Sequence, residues 1–269
     1  MTSPQQPWTD QVIDVGQDES VPVRVYGRRS ASGSAPLVVH LHGGAFVSGT
    51  LECGSTVARL LARSGAVVVS LDYPLAPEKP FPHAGEAVHA ALVWAHRHRV
   101  KLAGQGARLF VAGEEAGGNL AAAAALMSRD RQRPPLAGQI LLSPMLDPCL
   151  ATRSARQAEA GRVGCKFADG WRRYLCNAAN ADHPYAAPGS SVRLGGLPPT
   201  LLVTAQDDPM RDETQSFARH LRDAGVAVRE VLIPSATGWP ASFLEPASVD
   251  AAWATALHEP FDQFFKRTE

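Results

Sequence analysis

Short apolar, β-branched runs alternate along this chain with longer stretches in which apolar residues recur at helical spacing. The short runs predict strands at Val23–Tyr26, Leu37–Leu41, Val67–Leu71, Leu109–Ala112, Ile140–Leu142, Leu201–Thr204 and Val228–Ile233. The segments between them predict helices at Thr56–Arg63, Ala84–Arg99, Asn119–Arg129, Asp212–Ala224 and Val249–Lys266. Several strand runs are apolar on both faces, as strands covered by helices on each side require. Gly225, just past Ala224, reads as a helix C-cap. Alternation of this kind implies an α/β fold, with a mostly parallel twisted sheet and right-handed crossovers.

One stretch departs from the rhythm. From about Leu150 to Gly196 no strand is predicted, and Trp171, Tyr174 and Tyr185 stand among small and polar residues. Because it falls between two strands, it reads as a small inserted cap within a single domain spanning 1–269. A cap there would cover the carboxyl ends of the strands, where open α/β sheets bind ligands. Trp171 and Tyr174, at helical spacing, would either line a pocket or pack the cap onto the sheet.

Composition narrows the classes of function. The 269 residues carry 26 Lys+Arg against 26 Asp+Glu. This balance argues against a nucleic-acid partner, which needs a basic surface. No apolar run approaches the roughly 18 residues of a membrane helix, and the polar start does not resemble a signal peptide. Cys53, Cys149, Cys165 and Cys176 show neither zinc spacing nor a paired framework. The expectation is a cytoplasmic protein, monomer or homodimer, without metal or cofactor.

Three local sequences carry the candidate chemistry. His40-Leu-His42-Gly43-Gly44-Ala45-Phe46 follows a predicted strand. Asp72-Tyr73-Pro74-Leu75-Ala76-Pro77-Glu78 precedes Phe81-Pro82. Gly113-Glu114-Glu115-Ala116-Gly117-Gly118-Asn119 joins a strand to a helix, the setting of a strained nucleophile elbow. Gly196-Leu-Pro-Pro-Thr200 and Asp208-Pro-Met-Arg-Asp-Glu213 follow downstream. Together, from about Val23 onward, they resemble the hormone-sensitive-lipase-like carboxylesterases, a family of α/β-hydrolases. The resemblance implies an oxyanion hole built from the backbone of Gly43, Gly44 and Ala116. It implies an acid at Asp208, and a pocket for a small-molecule or peptide-like ligand bordered by His42, Gly238, Trp239 and Trp171.

The chain departs from that family's pattern at two places. Glu115 stands where the elbow serine belongs, and Gly238, within Pro234-Ser-Ala-Thr-Gly-Trp239, stands where the histidine belongs. Asp208 then either keeps a chemical role, or only caps the helix region at Asp212 or pairs with Arg211. Glu114 reads as a solvated loop charge, whereas Glu115 at the elbow's centre points into the cleft. A carboxylate beside oxyanion donors is equipment for removing a proton α to a carbonyl and holding the enolate. The expectation is therefore a non-hydrolytic enzyme performing isomerisation or epimerisation, or elimination or cyclisation. The alternatives are a receptor-like binding protein on an inactive esterase scaffold, or a residual hydrolase.

Overall fold

The computed structural model describes residues 8–16, 19–29, 33–158, 165–234, 236–244 and 251–268. Its strands are β1 (Trp8–Gly16), β2 (Glu19–Tyr26), β3 (Leu37–Leu41), β4 (Val67–Leu71), β5 (Leu109–Glu114), β6 (Gly138–Leu142), β7 (Thr200–Ala205) and β8 (Val228–Ile233). They form one eight-stranded sheet in the order β1-β2-β4-β3-β5-β6-β7-β8. Only β1–β2 and β2–β4 pair antiparallel; the remaining pairs are parallel. The helices are α1 (Ser55–Arg63), α2 (His83–Ala103), α3 (Ala116–Asp130), α4 (Arg153–Gln157), α5 (Lys166–Leu175), α6 (Arg211–Asp223), α7 (Ala241–Leu244), α8 (Ala252–Thr255) and α9 (His258–Arg267).

Strand pleating sends alternate residues to two cores. Val39, Leu41, Val69, Val111 and Leu141 join α2, α3 and α6 on one face. Val38, Val68, Phe110 and Ile140 join α1 and α9 on the other. This is an α/β-hydrolase arrangement, with helices on both faces of a mostly parallel sheet.

Two elements differ from expectation. The antiparallel strand β1 has no counterpart among the predicted strands; most of its residues are exposed, so it lacks the alternation that marks a half-buried strand. The expected helix Val249–Lys266 is instead two short helices, Ala252–Thr255 and His258–Arg267, and positions 249–250 lie outside the described residues. Between Leu150 and Gly196 the described residues form α4, α5 and two 3-10 turns, and no strand. Gly225 follows α6 with φ +80°, and its N–H meets the Arg222 carbonyl at 2.9 Å.

Candidate functional site

The sharp bend after β5 is forced by sterics. Glu115 has φ +53° and ψ −115°, a strained left-handed backbone for a residue with a side chain. Glycines make the bend feasible. A Cβ on Gly113 would strike the Gly117 carbonyl, and one on Gly117 would strike the carbonyls of Leu41 and His42. The bend is anchored by the Glu115 N–H on the Leu142 carbonyl (3.0 Å) and the Met145 N–H on the Glu115 carbonyl (3.0 Å). A side chain at 115 is thereby aimed over the carboxyl end of β3, where the turn Gly43–Val47 lies.

That turn holds the central observation. Ala45 (φ +50°) and Phe46 (φ +67°) are left-handed and Gly44 has φ +130°, so successive N–H groups face one point. The N–H groups of Gly44 and Ala45 both donate to Glu115 Oε2, the Ala45 bond measuring 2.8 Å. Glu115 is fully buried, and its Oε1 has no hydrogen-bond partner. Gly43 contributes by what it lacks: a Cβ there would lie 2.9 Å from Oε2. Two backbone donors converge on one oxygen, and that oxygen belongs to the elbow's own carboxylate.

Around this point lie other buried polar groups. His40 links Ser70 Oγ (2.9 Å) to Glu114 Oε2 (2.8 Å), all three buried. Glu114 is therefore a core residue paired with histidine rather than a solvated loop charge. Burial raises its pKa, against the lowering effect of His40. His42 stacks on Tyr73 (4.3 Å, 18°), and the Tyr73 hydroxyl donates to the His42 carbonyl at 2.7 Å. Burial pushes the His42 pKa down to about 4, so its ring is neutral at pH 7.

Asp208 lies after β7 and is buried. It accepts from Ser143 Oγ (2.7 Å), Thr204 Oγ1 (2.6 Å) and the Met210 N–H (2.9 Å). Burial raises its pKa, partly offset by the Thr204 and Ser143 hydroxyls. Its partners make it a pin between the ends of β6 and β7 and the entry to α6; Arg211 pairs with Asp212 instead. The neighbouring Asp207 holds the Thr237–Gly238 segment, accepting from the N–H groups of Thr237 (2.8 Å) and Gly238 (2.9 Å).

The Leu150–Gly196 segment reaches this turn through α5. Gly170 packs so closely on Ala45 that a Cβ would strike the Ala45 carbonyl. Phe46 stacks on Tyr174 (4.1 Å) and lies 4.9 Å from Trp171. Trp171 Nε1 and Tyr174 Oη are buried without partners. Trp239 is 4% exposed and packs against Phe243 (4.6 Å) and Trp253 (5.6 Å) in the second core. Gly238 beside it is exposed. Ala116 is the buried first residue of α3. Sequence reasoning missed Ala45 as a donor, because its left-handed torsion is one that its own side chain disfavours.

Similarity to known proteins agrees with this fold. Residues 38–237 match the model of a family described as α/β hydrolase fold. The chain is 38% identical to the carboxylic ester hydrolase LipN of Mycobacterium tuberculosis over 79% of its own length and 59% of LipN's. It is 38% identical to the carboxylesterase NlhH of the same organism, over 80% of this chain and 70% of NlhH. A crystal structure of a thermostable esterase from Pseudomonas putida superposes with TM-score 0.86 at 30% identity, covering 98% of this chain and 84% of that one.

These relatives overturn the expected isomerase, epimerase or lyase activity, because the proteins this chain resembles are esterases. Of the predicted donors, Gly44 is the one that the structure shows bound to Glu115, together with Ala45, which was not predicted. None of the helices among the described residues is long and apolar enough to cross a membrane. By its sequence match across residues 38–237 and its sheet, the chain belongs to the α/β hydrolase fold family.

Proposed function

We propose that the chain is a carboxylic-ester hydrolase that works without a serine nucleophile, with Glu115 as its general base. The family's nucleophile and histidine positions are here Glu115 and Gly238, so the triad is incomplete and an acyl-serine route is closed. A carboxylate attacking the ester itself would give a mixed anhydride, a poor intermediate. Water is the better nucleophile.

The observation that carries the reading is the convergence of the Gly44 and Ala45 N–H groups on one oxygen above the elbow. When Glu115 rotates away, those amides receive the ester's carbonyl oxygen. The freed carboxylate takes a proton from water as the water oxygen bonds to the carbonyl carbon. The resulting tetrahedral oxyanion is held by the same two amides. Its collapse breaks the ester C–O bond, and Glu115 returns its proton to the departing alkoxide, leaving acid and alcohol. General-base assistance contributes about 10²–10⁴-fold, and an oxyanion donor about 10²–10³-fold.

Hydrolysis of a short-chain ester such as phenyl acetate, followed by product chromatography, tests this. Turnover above the buffer rate is expected, falling to background in Glu115→Gln. Single turnover in ¹⁸O-water should place the label in the acid product and none in the protein. A rate equal to buffer, or one unchanged in Glu115→Gln, overturns the proposal.

A further inference from the structure

The Glu115 side chain has the shape of a reaction intermediate. An acylated serine runs Cβ–Oγ–C(=O)–R, with its carbonyl oxygen on the backbone amides. Glu115 runs Cβ–Cγ–Cδ(=Oε2)–Oε1, with Oε2 on the amides of Gly44 and Ala45. Cγ stands in for the serine oxygen, Cδ for the acyl carbon, and Oε1 for the first atom of the acyl group. The fit is close on the side of the turn, since a methyl on Gly43 would meet Oε2 at 2.9 Å and Glu115 Cβ at 3.2 Å.

We infer that in its resting state the protein carries a built-in copy of an acyl-enzyme and binds the ligand an acyl-enzyme binds, an alcohol. The acyl half of the ester site is filled by protein, so a carboxylate or an ester carbonyl finds no donor there. What the site still lacks is a donor to Glu115 Oε1, a buried acceptor with no partner. Leaving such an oxygen unmet is costly, roughly 1–3 kcal/mol or more for a charged group. A hydroxyl group supplies that hydrogen without adding charge to a site already holding Glu114 and Glu115. The inference rests on the reading of Glu115 and this turn as an ester site, and it adds that the alcohol half is recognised before Glu115 leaves the amides.

The test is a binding experiment independent of turnover. Wild-type protein with ¹³C-labelled glutamate and ¹⁵N-labelled backbone is titrated with benzyl alcohol and, separately, with sodium acetate. Benzyl alcohol should shift the Glu115 Cδ resonance and saturate, while acetate leaves the Gly44 and Ala45 amides unmoved. In Glu115→Ala the preference should reverse. Alcohol affinity should fall by about tenfold or more, and acetate should shift the two amides, because a charge-assisted hydrogen bond exchanges one partner for another. Glu115→Gln keeps the shape but puts an NH2, a donor, where Oε1 accepts, so it too should lose alcohol affinity. Acetate should still leave the occupied Gly44 and Ala45 amides of that variant unmoved, which reports that the fold is intact. Acetate shifting the wild-type Gly44 amide would overturn the inference, as would no saturable response to alcohol or equal alcohol affinity in Glu115→Ala. If ester turnover is absent while the reversal is seen, the inference stands and the hydrolase proposal falls. If turnover is seen without the reversal, the hydrolase proposal stands and the inference falls.

Discussion

A single methyl group added at Gly43 tests whether the Glu115 carboxylate sits on the amide pair. A Cβ at this position would lie 2.9 Å from Glu115 Oε2, 3.2 Å from Glu115 Cβ and 3.5 Å from the Glu114 carbonyl oxygen. The Gly43 backbone is not left-handed, so alanine adds no torsional strain and the cost comes from these contacts. The carboxylate must retreat, weakening its bonds from Gly44 and Ala45. Hydrogen bonds to a charged group contribute about 1.5–3 kcal/mol each, and partial relaxation leaves a loss of about 2 kcal/mol. For a chain of this size that lowers Tm by about 4–8 °C. A double-mutant cycle isolates the cause. Measured by urea unfolding, Gly43→Ala should cost about 2 kcal/mol in wild type and only a few tenths in Glu115→Gly, where both clashing side-chain atoms are gone. Equal costs in the two backgrounds would place the clash on the backbone and refute the reasoning.

Three further outcomes follow from the same geometry. His42, with its pKa near 4 in the fold and an ordinary value of 6.5 when unfolded, binds a proton in the unfolded chain first. Its contribution is therefore complete above about pH 6.5 and is lost as pH falls toward 4, by up to about 3 kcal/mol. The stability difference between wild type and His42→Gln, followed by denaturant midpoint, should shrink over that interval; a constant difference contradicts it. Trp239→Ala should lower stability by about 3–5 kcal/mol through the cavity left among Phe243 and Trp253. Alcohol binding at Glu115 should survive at a temperature where the variant is folded, and its loss would place Trp239 on the pocket wall. Glu115→Ser combined with Gly238→His should react with a serine-directed phosphonate, whereas either single variant should not. A Cβ at Gly238 has open space, its nearest neighbour being Ser242 Cβ at 4.0 Å, and the left-handed backbone there costs about 1 kcal/mol. Absence of labelling in the double variant, read by intact-protein mass, would show that position 238 does not face the elbow.

Much of the fold is legible in the sequence because its central strands are buried on both faces. Leu37–Leu41 and Val67–Leu71, buried throughout, have the bounds their apolar runs predict, and the edge strand Val228–Ile233 keeps its predicted bounds although most of it is not buried. The elbow is legible from its glycines, each answering to a backbone contact that excludes a side chain. What escapes are features decided by tertiary context. Glu114 reads as a loop charge until β3 brings His40 to it across 74 residues. Trp239 reads as a loop aromatic until Phe243 and Trp253 close over it. Ala45 becomes a donor through a backbone torsion that its own side chain disfavours. Above all, a glutamate at the elbow reads as facing free donors. Its length, two carbons beyond a serine Cβ, is what lets it reach those donors itself.

The most direct measurement of the central claim is the amide proton shift of Gly44 and Ala45 in wild type and in Glu115→Ala. An N–H bonded to a carboxylate resonates downfield, so both signals should lie downfield in wild type and move upfield together when the carboxylate is removed. If both amides keep their shifts in the variant, the carboxylate was never on them, and the hydrolase and alcohol-binding proposals lose their common foundation.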